Sequence, residues 1–178
     1  MAGQENLTPL LRQYQNIKRE HKDAILFFRM GDFYEMFYDD AIAASKILEI
    51  ALTTRDKRTD DPVPMCGIPY HAINSYLPKL NREGRKVAIC EQVEDPAQAK
   101  GIVRREVIRV ITPGTVLDGS LLESKENNFI AAIYPDTGPA GFAFVDVSTG
   151  DFFIAEMEMS RIKDEMARIE PREVLFPQ

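Results

Sequence analysis

Residues that commonly bind metals or form cross-links are scarce in this sequence, which has two cysteines, two histidines and no tryptophan. Cys66 and Cys90 form no Cys-X-X-Cys pattern, and only His21 and His71 could add further soft ligands. Neither a disulfide framework nor a zinc site is therefore predicted. We expect both cysteines to be ordinary buried thiols.

Long apolar runs are also lacking. No run approaches the ~18 to 20 residues that a membrane span needs, and the first six residues have neither the basic nor the apolar region of a secretory signal. The composition, 44% hydrophobic and 28% charged, is typical of a soluble globular protein. The expected location is therefore the cytoplasm, with no membrane partner.

The sequence has no recognisable motif of a nucleotide-dependent or hydrolytic enzyme. It contains no Gly-X-X-X-X-Gly-Lys-Ser/Thr phosphate loop, no Gly-X-Gly-X-X-Gly and no Gly-X-Ser-X-Gly. We therefore predict that this chain is not an enzyme. Asp146 and Asp151 could suggest a metal-dependent nuclease, but two-metal chemistry needs several converging carboxylates, so a plain hairpin is favoured. A nuclease would show Mg²⁺-dependent cleavage that Asp146→Ala abolishes.

Charge of one sign dominates only part of the chain. The net charge is -6, but residues 1 to 109 hold 17 basic and 16 acidic side chains (+1), whereas residues 110 to 178 hold 5 and 12 (-7). Since neutralisation of phosphates supplies most non-specific nucleic-acid affinity, only the first part is a plausible DNA-binding unit. Because that part is barely positive, we expect it to bind DNA weakly alone, with most of the affinity supplied elsewhere in a larger protein.

Caps, turns and apolar spacing predict a mixed α/β (α+β) fold. The first part is expected to contain a helix over 9–21, a strand over 24–28, a turn over 29–32, a strand over 33–37, a helix capped by Asp39-Asp40 that ends near 48, a strand over 50–54, an exposed loop over 55–62, a helix from 73 to about 84, and strands over 86–92 and 104–111.

Composition and charge change near Pro113-Gly114 and the polar stretch 123–128, which indicates a boundary. We predict one domain over residues 1–115, a linker over 116–126 and a second, partial domain over 127–178. The second domain is expected to contain strands over 129–134, 141–147 and 151–156, a helix from a Ser160 cap to 169, and the start of a strand over 174–176.

The run from Gly31 to Phe37, Gly-Asp-Phe-Tyr-Glu-Met-Phe, is the most informative segment. In a strand, Phe33, Glu35 and Phe37 share one face, with Phe33 and Glu35 roughly 6.6 Å apart. A core strand is the ordinary interpretation of such a run. Glu35 weakens that interpretation, because a carboxylate is rarely buried without a partner, so this face is expected to meet solvent or a ligand.

This run closely resembles the Phe-X-Glu segment of the MutS family of DNA mismatch-repair proteins. Further segments resemble the amino-terminal domain of that family in the same order, and they are Cys66-Gly67-Ile68-Pro69-Tyr70-His71, Val87-Ala88-Ile89-Cys90-Glu91-Gln92, Glu94-Asp95-Pro96, Ala99-Lys100-Gly101 and Thr112-Pro113-Gly114-Thr115. The resemblance implies a mismatch-recognition domain with a mixed sheet flanked by helices, followed by the opening of a ribonuclease-H-like connector domain.

The resemblance also implies roles for individual residues. Phe33 would be an aromatic wedge that enters a bent duplex from the minor groove, and Glu35 would hydrogen-bond the mispair. Tyr34, Met36 and Tyr38 would be the packing that holds them. Candidate contacts to the DNA backbone, chosen because they are basic residues of the first part, are Arg55, Lys57, Arg58, Arg82, Arg104 and Arg105.

Partners and cofactors follow from the same resemblance. The expected partners are double-stranded DNA with mispairs or small loops and other mismatch-repair proteins, in the bacterial cytosol or nucleoid, with a homodimeric parent protein. ATP and Mg²⁺ would act in parts of the parent family outside this chain, so no cofactor is expected here. The alternative is a protein-docking module that acts through the acidic second part, around Asp164 and Glu165.

Overall fold

The computed structural model describes residues 7–55, 62–95, 99, 101–115 and 127–177. The chain divides into two compact units, residues 1–111 and 112–178. The predicted linker over 116–126 and the candidate contacts Lys57 and Arg58 lie outside the described residues. None of the helices in the described ranges is long and apolar enough to cross a membrane.

The first unit contains a six-stranded mixed sheet. Its strands are β1 (Ala24–Met30), β2 (Phe33–Phe37), β3 (Thr53–Arg55), β4 (Val63–Pro69), β5 (Lys86–Gln92) and β6 (Arg105–Ile111). Their order across the sheet is β3-β4-β2-β1-β5-β6, and all neighbours are antiparallel except β1 and β5. The central strand β1 is buried from Ala24 to Phe28, as its uninterrupted apolar run predicts.

Within the described ranges, three α-helices accompany this sheet, and they are α1 (Pro9–Glu20), α2 (Tyr38–Leu48) and α3 (Ile73–Arg82). Helix α1 begins as predicted, with the Thr8 side chain accepting a hydrogen bond from the Leu11 N–H and proline in its first turn. Its Leu11 and Tyr14 pack on one face of the sheet with Phe28 and Phe37. Helix α3 follows a 3₁₀ turn over Tyr70–Ala72 and ends before Gly84, whose φ of 67° suits glycine.

The start of α2 differs from the predicted cap. Asp39-Asp40 were expected to cap this helix, but the N-cap position is Phe37 and no side chain caps it. Asp40 is instead buried, and it accepts hydrogen bonds from the Tyr14 hydroxyl at 2.8 Å and the Leu26 N–H at 3.0 Å. Tyr38 begins the helix with a φ of 54°.

The described residues of the second unit form a four-stranded sheet and one helix. Its strands are β7 (Phe129–Tyr134), β8 (Ala140–Asp146), β9 (Phe152–Met157) and β10 (Glu173–Leu175), in the order β10-β7-β8-β9. Helix α4 (Met159–Ile169) joins β9 to β10, which lies parallel to β7. The predicted Ser160 cap is wrong by two residues, since Glu158 is the N-cap and Ser160 lies within the first turn.

These two sheets with their helices confirm the predicted mixed α/β class. Both cysteines are free and buried, as predicted. Burial raises the pKa of Cys66 to about 11 and that of Cys90 to about 12, so neither thiol is a ready nucleophile at neutral pH.

Candidate nucleic-acid interface

Strand β2 changes from exposed to buried along one face. Phe33 at its beginning is 47% exposed, Glu35 is partly buried, and Phe37 at its end is fully buried. The alternate side chains Tyr34 and Met36 are buried in the opposite face. The predicted alternation is therefore present, and the carboxylate lies between a solvent-facing ring and the core.

The exposed ring of Phe33 stands beside a tight turn. Only Gly31 and Asp32 separate β1 from β2, and Met30 pairs with Phe33 across the turn. Gly31 has a φ of 55°, which suits glycine at the first position of a two-residue hairpin turn. On its other side, Phe33 pairs with Pro69 of β4, so strands flank the wedge candidate on both sides.

Glu35 is paired and partly desolvated. Its Oε2 lies 3.3 Å from Nη1 of Arg55, and its side chain is 20% exposed. Gly67 is its partner on β4, and a Cβ there would stand 3.2 Å from the Tyr34 carbonyl oxygen and 3.5 Å from Cγ of Glu35. Burial raises the pKa of Glu35, although Arg55 and Arg105 lower it in part. The carboxyl is therefore easier to protonate than an exposed glutamate.

The residues predicted to contact the DNA backbone differ in their exposure and in their partners. Arg104 is exposed and lies 3.4 Å from Glu106, and Arg82 is exposed near the end of α3. Arg55, expected in an exposed loop, ends β3 and pairs with Glu35. Their contact with DNA stays a prediction, as do the roles of Phe33 and Glu35.

Arg105 requires a correction. It was expected to contact the phosphate backbone, but it is only 7% exposed, and its Nε and Nη1 atoms have partners within the protein. It donates to the Arg29 carbonyl at 2.6 Å, to the Val103 carbonyl at 2.8 Å and to the Gln13 side chain at 3.1 Å, and it lies over the Phe28 ring. A buried guanidinium with these partners stabilises the sheet, and Arg105 is not proposed as a phosphate contact.

Four residues that the sequence analysis did not assign together form a network beside the turn. They are Arg29, Tyr34, Tyr70 and Glu91, which come from β1, β2, the 3₁₀ turn and β5. The only signal in the sequence was the alternation that places Arg29, Tyr34 and Glu91 on the same face of adjacent strands. Nothing in the sequence indicated that Tyr70 would join them.

The two aspartates considered for a metal-dependent nuclease, Asp146 and Asp151, are each hydrogen-bonded to a neighbouring residue of the turn. Asp146 accepts hydrogen bonds from the backbone and the side chain of Ser148, and Asp151 accepts one from Thr149. Burial raises the pKa of Asp146, but the hydrogen bonds from Ser148 and nearby backbone groups together lower it by more, so the net shift is downward. Within the residues that the structure describes, no three His, Cys, Asp or Glu side chains gather as metal ligands do.

Comparison with known proteins identifies the family of this chain. The family profiles described as MutS domain I and MutS domain II match residues 8–120 and 128–178. The chain is 56% identical over 176 residues to the DNA mismatch repair protein MutS of Thermodesulfovibrio yellowstonii, covering 99% of the chain and 20% of the relative. It is 53% identical over 174 residues to MutS of Alkaliphilus oremlandii, with 96% and 20% covered.

A third relative, MutS of Clostridioides difficile, is 54% identical over 170 residues, with 96% of the chain and 18% of the relative covered. The chain thus spans about a fifth of the length of the curated relatives it matches. The two profile matches together cover almost all of the described residues. This chain belongs to the MutS family, and it comprises domains I and II of that family.

Proposed function

We propose that this chain recognises mispaired or looped duplex DNA as part of mismatch repair. The observation that supports the proposal most is the exposure of Phe33, which is a large aromatic ring presented to solvent by a strand whose other side chains are buried or partly buried. An aromatic residue on a rigid strand keeps its ring in place without losing side-chain freedom on binding. Phe33 would therefore act as a wedge.

An aromatic wedge selects a defect by the cost of opening the duplex. Inserting a ring between base pairs costs a few kcal/mol of unstacking, and this cost is smallest where pairing is already defective. Stacking of a base on the ring returns roughly 1 to 3 kcal/mol with little dependence on base identity. Because the gain is nearly constant and the cost falls at a mispair, the wedge favours mispaired sites over any particular sequence.

Glu35 would add discrimination through its charge. An ionised carboxylate is repelled by phosphates and finds no partner on correctly paired DNA. At a mispair it could accept a hydrogen bond from a displaced base N–H, or donate one when protonated. Its raised pKa favours the second option, because burial already lowers the cost of protonation. Arg55 would hold the carboxylate until DNA arrives.

Most of the affinity would come from other parts of the full-length protein. The first unit carries almost no net charge, and relatives are about five times longer than this chain. We propose that ATP and Mg²⁺, a second subunit and other mismatch-repair proteins act through those other parts. The chain itself would bind and discriminate without hydrolysing anything.

The test is competitive binding of mispaired and matched duplexes, at stated salt, by a full-length protein that carries this chain, with and without Phe33→Ala. We expect a roughly 10- to 100-fold loss of mispair preference, which corresponds to the stacking energy. Non-specific binding, and its dependence on salt, should survive. Phe153→Ala, which removes a similarly exposed ring from β9, is the control and should leave the preference unchanged.

Unchanged preference in Phe33→Ala would mean that Phe33 is structural. The alternative of a docking module in the second unit would then take precedence. That unit exposes apolar side chains along the edge strand β9, where Phe152, Phe153 and Ile154 are all more than half exposed. Charge reversal at Asp164 and Glu165 would test whether the acidic unit binds a protein partner.

A further inference from the structure

The turn that presents Phe33 receives little support from its own residues. A Cβ built on Gly31 would have no atom within 4 Å, and Asp32 is exposed. One backbone hydrogen bond, from the Tyr70 N–H to the Asp32 carbonyl at 2.9 Å, links the turn to the end of β4. A two-residue turn with a glycine can flex, so the position of the ring depends on what braces the turn from outside.

Arg29 supplies such a brace. Its Nε donates a hydrogen bond to the Gly31 carbonyl at 2.6 Å, and its Nη1 lies 3.5 Å from Oε2 of Glu91. Its Cζ stands 3.6 Å from the centre of the Tyr70 ring, which is within cation–π distance. One guanidinium thus joins the turn to β5 and to the 3₁₀ turn after β4, and its side chain is only 18% exposed.

Tyr34 extends the same brace to β2. It lies between Phe33 and Glu35 in the strand, and its hydroxyl donates a hydrogen bond to the Glu91 carboxylate that also receives Arg29. Burial and the neighbouring Glu91 raise the pKa of Tyr34 to about 12, so the hydroxyl keeps its proton under ordinary conditions. Arg29 and Tyr34 are also direct partners across the hairpin.

We propose that Arg29, Tyr70 and Glu91 form a clamp that positions the Phe33 wedge from the opposite face of the sheet. This inference rests on the proposed function, and it assigns Arg29 a positioning role rather than a contact with DNA. The backbone of Arg29 is fixed as well, because its carbonyl accepts the 2.6 Å hydrogen bond from buried Arg105. With backbone and side chain both held, the turn cannot tilt the ring away from a base step.

A phosphate contact by Arg29 would have a different physical basis. A guanidinium that binds phosphate needs donors facing solvent, whereas Nε and Nη1 of Arg29 face the Gly31 carbonyl and Glu91. Its flat face is also covered by the Tyr70 ring. Engaging a phosphate would require Arg29 to leave the clamp and release the turn.

A positioning role and a phosphate contact of Arg29 predict different results in a double-mutant cycle. The full-length protein is compared with its Arg29→Ala, Phe33→Ala and doubly substituted variants, and the ratio of matched to mispaired Kd is measured for each. We expect Arg29→Ala to reduce mispair preference about 3- to 10-fold, because a loosened turn must be ordered on binding. In the Phe33→Ala background, Arg29→Ala should cause no further loss.

Three results would overturn the proposal. They are unchanged affinities for both duplexes in Arg29→Ala, an equal loss of matched and mispaired binding in that variant, and a further loss of preference when Arg29→Ala is added to Phe33→Ala. The second result would identify Arg29 as a phosphate contact, and the third would mean that Arg29 acts on discrimination independently of Phe33. If Phe33→Ala keeps the mispair preference, the proposed function fails and the clamp fails with it. If Phe33→Ala loses the preference but Arg29→Ala keeps it, only the clamp is refuted.

Variants of Tyr70 guard against a simple folding defect. Tyr70→Ala should lower the mispair preference as much as Arg29→Ala does. Tyr70→Phe should keep the preference of the unsubstituted protein, because it keeps the ring that supports the guanidinium. Arg29→Lys should not restore it, since an ammonium cannot lie flat on the ring while bonding both oxygen partners. Arg19→Ala, which removes one exposed charge from α1, controls for charge alone. Equal effects of Tyr70→Ala and Tyr70→Phe would contradict the proposal.

Discussion

The two ends of strand β2 carry the same residue type on the same face, yet only one of them belongs to the core. Phe37 is fully buried, with Tyr14 packed edge-on against its ring at 5.0 Å between centroids. Phe33, four residues earlier, faces solvent at 47% exposure. The comparison teaches that β2 is anchored in the core at one end and exposed at the other, which is the end that we propose binds DNA.

The buried end is anchored through hydrogen bonds as well as packing. The Tyr14 hydroxyl accepts a hydrogen bond from the Phe37 N–H at 3.3 Å and donates to Asp40 at 2.8 Å. Burial and then Asp40 raise the pKa of Tyr14 far above its usual range, so it remains a donor. Lys18 completes the arrangement, since its Nζ lies 2.8 Å from the other oxygen of Asp40.

The largest effect is expected from truncating the buried ring. Phe37→Ala should cost about 3 to 5 kcal/mol of unfolding free energy, because it leaves a cavity under α1. Phe33→Ala should cost less than about 1 kcal/mol, since an exposed ring contributes little to folding. Amide hydrogen exchange of β1 and β2 in this chain measures both values in the first unit alone.

Equal costs at the two positions would contradict the comparison, because they would mean that Phe33 also packs in a core. Should Phe37→Ala fail to fold, Phe37→Leu replaces it as a smaller truncation. That variant is expected to lose less stability than Phe37→Ala and still more than Phe33→Ala.

The next effect concerns the buried carboxylate behind Phe37. Asp40→Ala should cost about 2 to 4 kcal/mol, because it leaves the Leu26 N–H, the Tyr14 hydroxyl and Lys18 without their shared acceptor. The same hydrogen-exchange measurement reports the loss. Asp39→Ala, at the exposed neighbouring position, should change stability by less than about 1 kcal/mol. A similar cost for both aspartates would indicate that Asp40 serves only the helix terminus.

The smallest effect is expected midway along the strand, at Glu35. Its folded pKa is raised above the ordinary value of 4.5, so its contribution to stability is greatest below that value and is lost as pH rises through the folded pKa. Glu35→Gln removes this titration. At pH 7 the variant should therefore be more stable than the parent chain by less than about 1 kcal/mol, and the difference should shrink towards pH 4.

Urea unfolding between pH 4 and pH 7.5 measures this difference, with Glu83→Gln as the control for loss of an exposed negative charge. A variant that is less stable than the parent at pH 7 would mean that pairing with Arg55 outweighs burial. In the full-length protein, the same variant should bind matched DNA more tightly, because a charge that repels phosphates has been removed.

Local patterns accounted for most elements of secondary structure. Strand β5 has the predicted bounds, Lys86–Gln92, because β-branched residues follow a glycine turn. Helix α1 was predicted to within one residue, because its cap, first-turn proline and apolar spacing agree. Short-range signals of this kind need no knowledge of distant partners. Alternation also predicted which side chains of β2 share a face, although the burial of Phe37 on the same face as exposed Phe33 was not predicted.

The failures concern polar residues whose partners are far away in the chain. Arg105 was predicted to contact the DNA backbone, but it is buried and its hydrogen bond to the Arg29 carbonyl spans 76 positions. Asp40 was assigned to a helix cap, but its bond with Tyr14 spans 26 positions. Charge patterns cannot show such pairs, because burial of a charged group is decided by the partners that the fold brings to it.

The sequence by itself determined the class of the fold, the family and the alternating strand that presents Phe33 and Glu35. Only the tertiary structure decided which basic residues serve the sheet and which remain at the surface. It also brought Arg29, Tyr70 and Glu91 together behind the turn. The physical reason is that helices and strands follow from short-range preferences, whereas the environment of a buried charge depends on residues that meet only after folding.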